Sequence, residues 1–169
     1  LFDVQFDLPS ACAERLHAGD VDLGLIPSFE YLRGDYRLVP GIAIGSRGPV
    51  RSVNLFLRGK LEHVRRVALD TSSRTSVALA RILLRERLGR DPEYVDRPPS
   101  LEAMLADADA ALVIGDPALY ARTDAECLDL GEGWQALTGL PFVFAFWAGR
   151  MGVLTAAHVA RLQDALRAG

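Results

Sequence analysis

Residues 67–88 join a short apolar strand, a hydroxyl-rich loop and a long amphipathic helix, and this unit constrains the fold more than any other stretch. The apolar strand is Val67–Leu69. The helix carries Val77, Ala80, Leu84 and Leu88 on one face, and Gly89 closes it. A helix that starts in such a loop presents free N–H groups and the positive end of its dipole, which favour a negative charge. Because the loop lacks a glycine-rich phosphate signature and a P-loop lysine, the pattern predicts a site for a small carboxylate rather than a nucleotide.

The loop itself supplies the first group of candidate binding residues. One hydroxyl is needed to cap the helix, and the others are surplus donors at the carboxyl end of a strand. We expect these donors to bind a carboxylate of the substrate. The candidates are Thr71, Ser72, Ser73, Arg74, Thr75 and Ser76.

Strands and helices alternate along the rest of the chain, which predicts an α/β protein with covered, largely parallel sheets. The predicted strands are residues 1–8, 21–26, 36–39, 42–46, 52–57, 67–69, 94–95, 110–114, 127–130 and 142–147. The predicted helices are residues 9–19, a turn at 28–33, the helix ending at Gly89, residues 100–106, a short helix after Pro117 and a last helix capped by Thr155.

This order of elements favours two lobes joined by extended crossings. We expect a first lobe of residues 1–44, a second lobe of residues 45–145, and a return to the first lobe at residues 146–169. The crossings near residues 42–57 and 142–147 would act as hinges. In such a fold a ligand sits between the lobes, outside the carboxyl ends of the strands.

Four further residues are candidates at strand ends, each with a plainer alternative. Ser28 follows a strand and is either a ligand contact or an ordinary helix N-cap. Ser52 and Asn54 share the polar face of a crossing strand, which is either part of the site or a solvated face. Asp116 follows a buried strand and is either a helix cap or a carboxylate facing the ligand as general base or hydroxyl acceptor.

Composition excludes several classes of function. The net charge of −3 and the scattered distribution of 19 Lys and Arg residues argue against a nucleic-acid partner. Cys12 and Cys127 are too few for a disulfide framework. His17, His63 and His158 are dispersed, and no metal-binding motif is present, so we expect no catalytic metal. Without a membrane-length apolar run, we expect a soluble, intracellular protein that has no membrane partner.

Several segments together resemble chorismate dehydratase, the first enzyme family of the futalosine route to menaquinone. The resemblance covers nearly the whole chain, and the combination is specific although each segment alone is weak. The segments are Gly24–Ser28, Gly48–Val53, Val67–Ser76, Ile114–Leu119, Asp129–Trp134 and Leu137–Ala145.

The resemblance implies a type II periplasmic-binding-protein-like fold used as a cytoplasmic enzyme. It implies the conversion of chorismate, a small-molecule dicarboxylate, to 3-[(1-carboxyvinyl)oxy]benzoate and water without a cofactor, by a monomer or weak dimer. The family's opening strand and a Ser-Tyr-Leu-Asn-like segment are expected before Leu1, and its C-terminal helices after Gly169, so the first lobe is incomplete in this chain. The base is either Asp116 or the enolpyruvyl carboxylate of the substrate.

Three other functions remain open on the sequence. A solute-binding module of the same fold would carry a signal peptide and show no turnover. The sister dihydroxynaphthoate-forming synthase would place a histidine in the pocket. The effector domain of a LysR-type regulator would follow a helix-turn-helix.

Overall fold

The computed structural model describes residues 2–169, and the chain divides into two compact units. The first unit comprises Leu1–Ile44 and Val143–Gly169, and the second unit comprises Gly45–Phe142. The second boundary therefore lies after Phe142, three residues before the boundary predicted after residue 145.

Eight strands and six α-helices are assigned among the described residues. The strands are β1 (Leu23–Pro27), β2 (Tyr36–Ser46), β3 (Val53–Leu57), β4 (Arg66–Leu69), β5 (Glu93–Asp96), β6 (Ala110–Ile114), β7 (Glu126–Asp129) and β8 (Phe142–Arg150). The helices are α1 (Pro9–Ala18), α2 (Arg74–Leu88), α3 (Leu101–Asp107), α4 (Asp116–Leu119), α5 (Leu130–Thr138) and α6 (Ala156–Ala168). Short 3₁₀ turns occupy Ser28–Arg33 and Leu61–His63.

The second unit is built on a five-stranded sheet of order β5-β4-β6-β3-β7. The β4 strand pairs in parallel with β5 and β6, whereas β3 pairs antiparallel with β6 and β7. The prediction of largely parallel sheets is therefore wrong for this sheet. All five residues of β3 are buried, Asn54 included, so β3 is covered on both faces like a parallel strand although it runs antiparallel to its neighbours.

The strand–loop–helix unit predicted at residues 67–88 is confirmed as β4 followed by α2, which is closed by Gly89. The buried face of α2 is wider than predicted, because the helix contacts both β6 and α5. Ala80 and Leu84 are buried as expected, but Leu79 and Leu83 are also buried, while Val77 and Leu88 are only partly covered.

The helix α5 is absent from the sequence prediction because two glycines interrupt it. Both glycines allow close packing: a Cβ at Gly131 would lie 2.6 Å from the Gly48 carbonyl oxygen, and one at Gly133 would lie 3.0 Å from Leu83 Cδ1. The helix begins at an Asp129 cap, followed at the third position by Glu132. This Asp-x-x-Glu spacing is the sequence signal of a helix start.

The first unit contains a three-stranded sheet of order β1-β8-β2, in which Ile26 of β1 lies opposite Phe146 of β8. Its α1 packs against β1, and Ala13, Leu16, Ile26 and Ala148 form a small buried cluster. The two short runs expected at 36–39 and 42–46 form the single strand β2, in which Gly41 adopts a left-handed φ of 78°. No helix among the described residues has the length and apolar character needed to cross a membrane.

The strand predicted at residues 1–8 is wrong for residues 2–8, which form no regular element; Leu1 lies outside the described residues. The alternation of Phe2, Val4, Phe6 and Leu8 is present, yet all four side chains are exposed, Phe6 to 94%. Period-two alternation produces a strand only where a sheet edge accepts the backbone hydrogen bonds.

Candidate functional site

The sheet of the second unit brings most of the candidate residues to one edge. The ends of β4, β5, β6 and β7 and the start of β3 lie at this edge, because β3 runs opposite to the other four. We call it the carboxyl edge, and it comprises residues 50–54, 70–76, 96–97, 115–116 and 129. Ligands of open α/β sheets bind at such edges.

The loop after β4 contributes a network of hydroxyl groups. Ser73 caps α2, and its Oγ accepts hydrogen bonds from the Ser76 N–H at 3.4 Å and from the Ser76 hydroxyl at 3.2 Å. Ser73, Thr75 and Ser76 are all buried. Thr71 is exposed, and Ser72 is half-buried. The hydroxyl groups of the loop thus fall into two sets. Those of Ser73, Thr75 and Ser76 are buried, and those of Thr71 and Ser72 are nearest to solvent.

The sequence candidates do not include Asp70, which is 2% exposed at the start of this loop. Its Oδ1 accepts a hydrogen bond from the Ser72 N–H at 3.0 Å, and its own N–H donates to the Leu112 carbonyl at 3.1 Å. The carboxylate therefore fixes the loop to β6. It also places negative charge beside the predicted anion site, so a bound carboxylate there requires a compensating cation.

Ser52 and Asn54 do not share a solvated face. Asn54 is 7% exposed, and its Nδ2 donates to the Arg51 carbonyl at 2.8 Å. Ser52 is half-buried just before β3, and its carbonyl accepts the Gly115 N–H at 2.7 Å. The Asn54 side chain therefore stabilises the backbone at the start of β3. Ser52 lies beside the loop that carries Asp116.

Asp116 is exposed and is the first residue of α4. The N-cap is Gly115, at φ 73° and ψ −148°, a conformation that favours glycine. Asp116 is therefore not the helix cap, which was the plainer alternative. Its carboxylate stands at the carboxyl edge, accessible to a bound molecule.

Ser28 belongs to the first unit, where it follows β1. Its hydroxyl donates a hydrogen bond to the Val143 carbonyl at 2.7 Å. The N-cap of the following 3₁₀ turn is Pro27, without a side-chain capping bond. Ser28 is thus neither the predicted N-cap nor brought to the carboxyl edge by the sheet of the second unit.

Asp129 and Arg51 at the carboxyl edge are, like Asp70, not among the candidates predicted from the sequence. The Asp129 carboxylate accepts four backbone N–H groups, from Val50 at 2.9 Å, Arg51 at 2.6 Å, Gly131 at 2.8 Å and Glu132 at 3.1 Å. Arg51 has φ 65°, a left-handed value, and its side chain is exposed. The helix cap at Asp129 could be predicted from the sequence around it. The contact of Asp129 with residues 50–51 could not, because these residues lie far away in the sequence.

The pKa of Cys127 and the arrangement of possible metal ligands limit the reactions that this edge can support. Desolvation, and after it the Asp129 carboxylate, raises the pKa of the neighbouring Cys127 thiol, so the thiol stays protonated at neutral pH and is a poor nucleophile. Among residues 2–169, no cluster of three His, Cys, Asp or Glu residues is arranged to hold a metal. The carboxyl edge offers hydroxyls, backbone amides, carboxylates and the side chains of Arg51, Arg74 and Arg97.

The chain matches the family model described as "Menaquinone biosynthesis" over residues 2–169. It is 38% identical to the chorismate dehydratase of Thermus thermophilus, over 88% of this chain and 62% of that protein. The chain thus spans about three fifths of the length of that relative.

Solved structures show the same fold. A structural-genomics protein from Archaeoglobus fulgidus superposes with a TM-score of 0.71 at 22% identity, over 98% of this chain and 62% of that one. A periplasmic substrate-binding protein of an ABC transporter from Coxiella burnetii superposes with a TM-score of 0.56 at 15% identity, over 97% and 78%. The predicted α/β fold of the type II periplasmic-binding-protein kind is therefore confirmed.

Proposed function

Because the chain belongs to the menaquinone-biosynthesis family, we propose that the protein dehydrates chorismate to 3-[(1-carboxyvinyl)oxy]benzoate. The geometric observation that supports this most directly is the gathering of Ser52, the Thr71–Ser76 loop and Asp116 at one sheet edge. The likeness to the Thermus thermophilus chorismate dehydratase supports the choice of substrate.

The reaction places modest demands on such a site. The ring carbon that bears the enol ether loses its proton, the adjacent allylic carbon loses its hydroxyl group as water, and the ring becomes aromatic. Aromatisation supplies the driving force, so the protein mainly has to orient the substrate. Pre-organised positioning of this kind contributes about 7–11 kcal/mol to catalysis where the bound geometry is favourable.

The residues of the carboxyl edge have distinct roles in this proposal. The Thr71 and Ser72 hydroxyls and the half-buried Ser52 donate hydrogen bonds to the substrate carboxylates and to the departing hydroxyl. Ser73, Ser76 and Asn54 hold the backbone that carries these groups. The base is either the exposed Asp116 or the enolpyruvyl carboxylate of the substrate itself.

Turnover tests the proposal directly. The full-length protein, incubated with chorismate, should form an aromatic product that absorbs in the ultraviolet and elutes with authentic 3-[(1-carboxyvinyl)oxy]benzoate. Activity should persist without added nicotinamide and after treatment with a chelator. Binding of chorismate without turnover would instead indicate a solute-binding module. Loss of activity with the chelator and recovery with metal would overturn the cofactor-free reaction.

The role of Asp116 is tested by Asp116→Asn, which keeps the size of the side chain and removes its charge and basicity. We expect Asp116 to position the substrate, so kcat should fall less than about tenfold and the melting temperature should stay unchanged. General-base removal typically costs 10²–10⁴-fold. A fall in kcat of roughly 100-fold or more, at an unchanged melting temperature, would make Asp116 the base.

The sister synthase finds no support in the positions of the histidines. His17 pairs with Glu30 in the first unit, His158 belongs to the capping box of α6, and His63 lies in the turn that leads into β4. Within the second unit, His63 is the one histidine among residues 45–142, and it lies away from the carboxyl edge. A cytoplasmic location and a monomeric or weakly dimeric state belong to the same proposal; cell fractionation and sedimentation test them.

A further inference from the structure

Asp129 occupies a junction between three parts of the second unit. It ends β7, caps α5, and lies opposite Asn54 in the β3–β7 pairing. Two of the N–H groups that its carboxylate accepts belong to α5, and the other two belong to Val50 and Arg51. The first pair is ordinary helix capping. The second pair ties a distant segment to the same carboxylate.

The tied segment has an unfavourable backbone. Arg51 has φ 65°, a left-handed conformation that residues with a side chain seldom adopt. The Asp129 carboxylate accepts its N–H at 2.6 Å, and Asn54 Nδ2 donates to its carbonyl at 2.8 Å. Strained residues of this kind persist where their surroundings determine the backbone more than once, and they concentrate at functional sites.

The close approach of α5 is part of the same arrangement. A Cβ at Gly131 would lie 2.6 Å from the Gly48 carbonyl oxygen and 2.7 Å from Ser46 Oγ, so only glycine lets the start of α5 approach this segment. Asp129 is thereby brought within hydrogen-bonding distance of Val50 and Arg51. The segment before β3 is therefore built against α5 rather than left as a loose connection.

The carboxyl edge carries several acidic side chains, so a bound carboxylate needs a cation near it. Asp70, Asp96, Asp116 and Asp129 all lie there, and the substrate of the proposed reaction carries two carboxylates. Of the other two arginines at this edge, Arg97 is paired with Asp107, and Arg74 has an interaction partner of its own. The guanidinium of Arg51 makes no ion pair or hydrogen bond with any other described residue. Arg51 is thus available as the cation that a carboxylate needs in these surroundings.

We infer that Arg51 binds one carboxylate of the substrate and that Asp129 is the positioning residue that holds the Arg51 backbone for this contact. The inference rests on the proposed function for the identity of the dicarboxylate. Arginine suits the task because its planar guanidinium pairs with a carboxylate through two parallel hydrogen bonds. Asp129 acts through Arg51 and does not touch the substrate.

Kinetics of the full-length protein with chorismate test both parts. Arg51→Ala should raise KM about tenfold to hundredfold, as expected for loss of a charge-assisted hydrogen bond, and should change kcat less. Arg51→Lys should recover part of the loss, because it keeps the charge but not the bidentate geometry. Asp129→Asn should raise KM about tenfold. In the Arg51→Ala background, Asp129→Asn should add little, because the group that it positions is already gone.

Asp109→Asn is the matched control. Asp109 lies at the opposite edge of the same sheet, where its carboxylate accepts the Arg65 and Arg66 N–H groups at 3.0 and 3.1 Å. It therefore loses the same kind of backbone interaction, away from the site. KM and kcat should stay within about twofold of the wild-type values. If Asp129→Asn lowers the melting temperature, leaves KM unchanged and adds fully to Arg51→Ala, its role is structural and the inference is overturned.

Calorimetric titration with chorismate separates this inference from the proposed function. Binding that Arg51→Ala weakens, without turnover by the wild type, would sustain the carboxylate contact and overturn the dehydratase. Turnover by the wild type together with an unchanged KM in Arg51→Ala would sustain the dehydratase and overturn the carboxylate contact. If the wild type neither binds chorismate nor turns it over, both proposals are overturned. Should Asp129→Asn not fold, Asn54→Leu removes the other bond to the Arg51 backbone and should raise KM likewise.

Discussion

The two units of the chain differ in how completely they bury their apolar side chains. In the second unit, every residue of β3 is buried, and α2 buries Leu79, Ala80, Leu83 and Leu84. In the first unit, none of the described residues of α6 is buried, and β2 buries only Val39. A groove of about 1070 Å³ between β2 and α6 remains open in this unit.

This difference in burial indicates which residues contribute most to the stability of the core. A strand covered on both faces has nearly all of its apolar surface removed from water. Each buried methylene group contributes about 0.8 kcal/mol to the free energy of unfolding. The second unit has this arrangement around β6, whose Ala110–Val113 are completely buried. The first unit keeps Phe6, Leu32 and Leu166 largely exposed. We therefore expect the second unit to carry most of the measured stability.

Matched leucine truncations give the largest expected contrast. Leu112→Ala in β6 removes a fully buried side chain and should lower the free energy of unfolding by about 2–5 kcal/mol. Leu166→Ala in α6 alters a side chain that is 57% exposed and should change it by about 0.5 kcal/mol or less. In the single-tryptophan variants Trp147→Phe and Trp134→Phe, denaturant unfolding can be followed in each unit separately, through Trp134 in the second and Trp147 in the first. Equal losses would mean that Leu166 is buried in solution.

The same contrast explains what the sequence could predict. The β4–α2 unit, α1 and α6 follow local rules of strand, cap and amphipathic face, and all three form as predicted. Residues 2–8 obey the local rule for a strand and form none, because pairing depends on a distant edge. At the candidate site, the hydroxyls of the loop after β4 were visible in the sequence. The bonds from Asp129 to residues 50–51 were not, because they join positions that only the folded sheet brings together.

Helix caps provide an intermediate test, since each unit contains one on a helix of similar length. Ser73 caps α2, and its Oγ also accepts a hydrogen bond from the buried Ser76 hydroxyl. Thr155 caps the exposed α6 through the His158 N–H. Ser73→Ala should cost up to about 2 kcal/mol and Thr155→Ala about 0.5–1 kcal/mol, because only the first leaves a buried hydroxyl without its acceptor. Thermal unfolding measures both, and a larger cost for Thr155→Ala would contradict the ranking.

The smallest expected effect is an acid sensitivity confined to the second unit. The Arg65 N–H, with the Arg66 N–H and the Arg58 guanidinium, holds the pKa of Asp109 below its ordinary value despite desolvation of the carboxyl group. A carboxyl group whose pKa is lower in the folded state stabilises the protein above its unfolded pKa of about 3.9, and this contribution is lost as pH falls through the folded pKa.

Asp109→Asn removes that titration and should lower the stability of the second unit at pH 6 by less than the Ser73 cap contributes. The difference from wild type should shrink below about pH 4, because the wild-type carboxyl becomes protonated first in the unfolded state and then, at its lower pKa, in the folded state. Trp134 fluorescence during urea unfolding between pH 2 and 7 measures it, while Trp147 should report no change in the first unit. A difference that stays constant down to pH 2 would show that the Asp109 contacts do not depend on its charge. An equal change at Trp147 would show that the two units unfold together, and the contrast between them would then lie in burial alone.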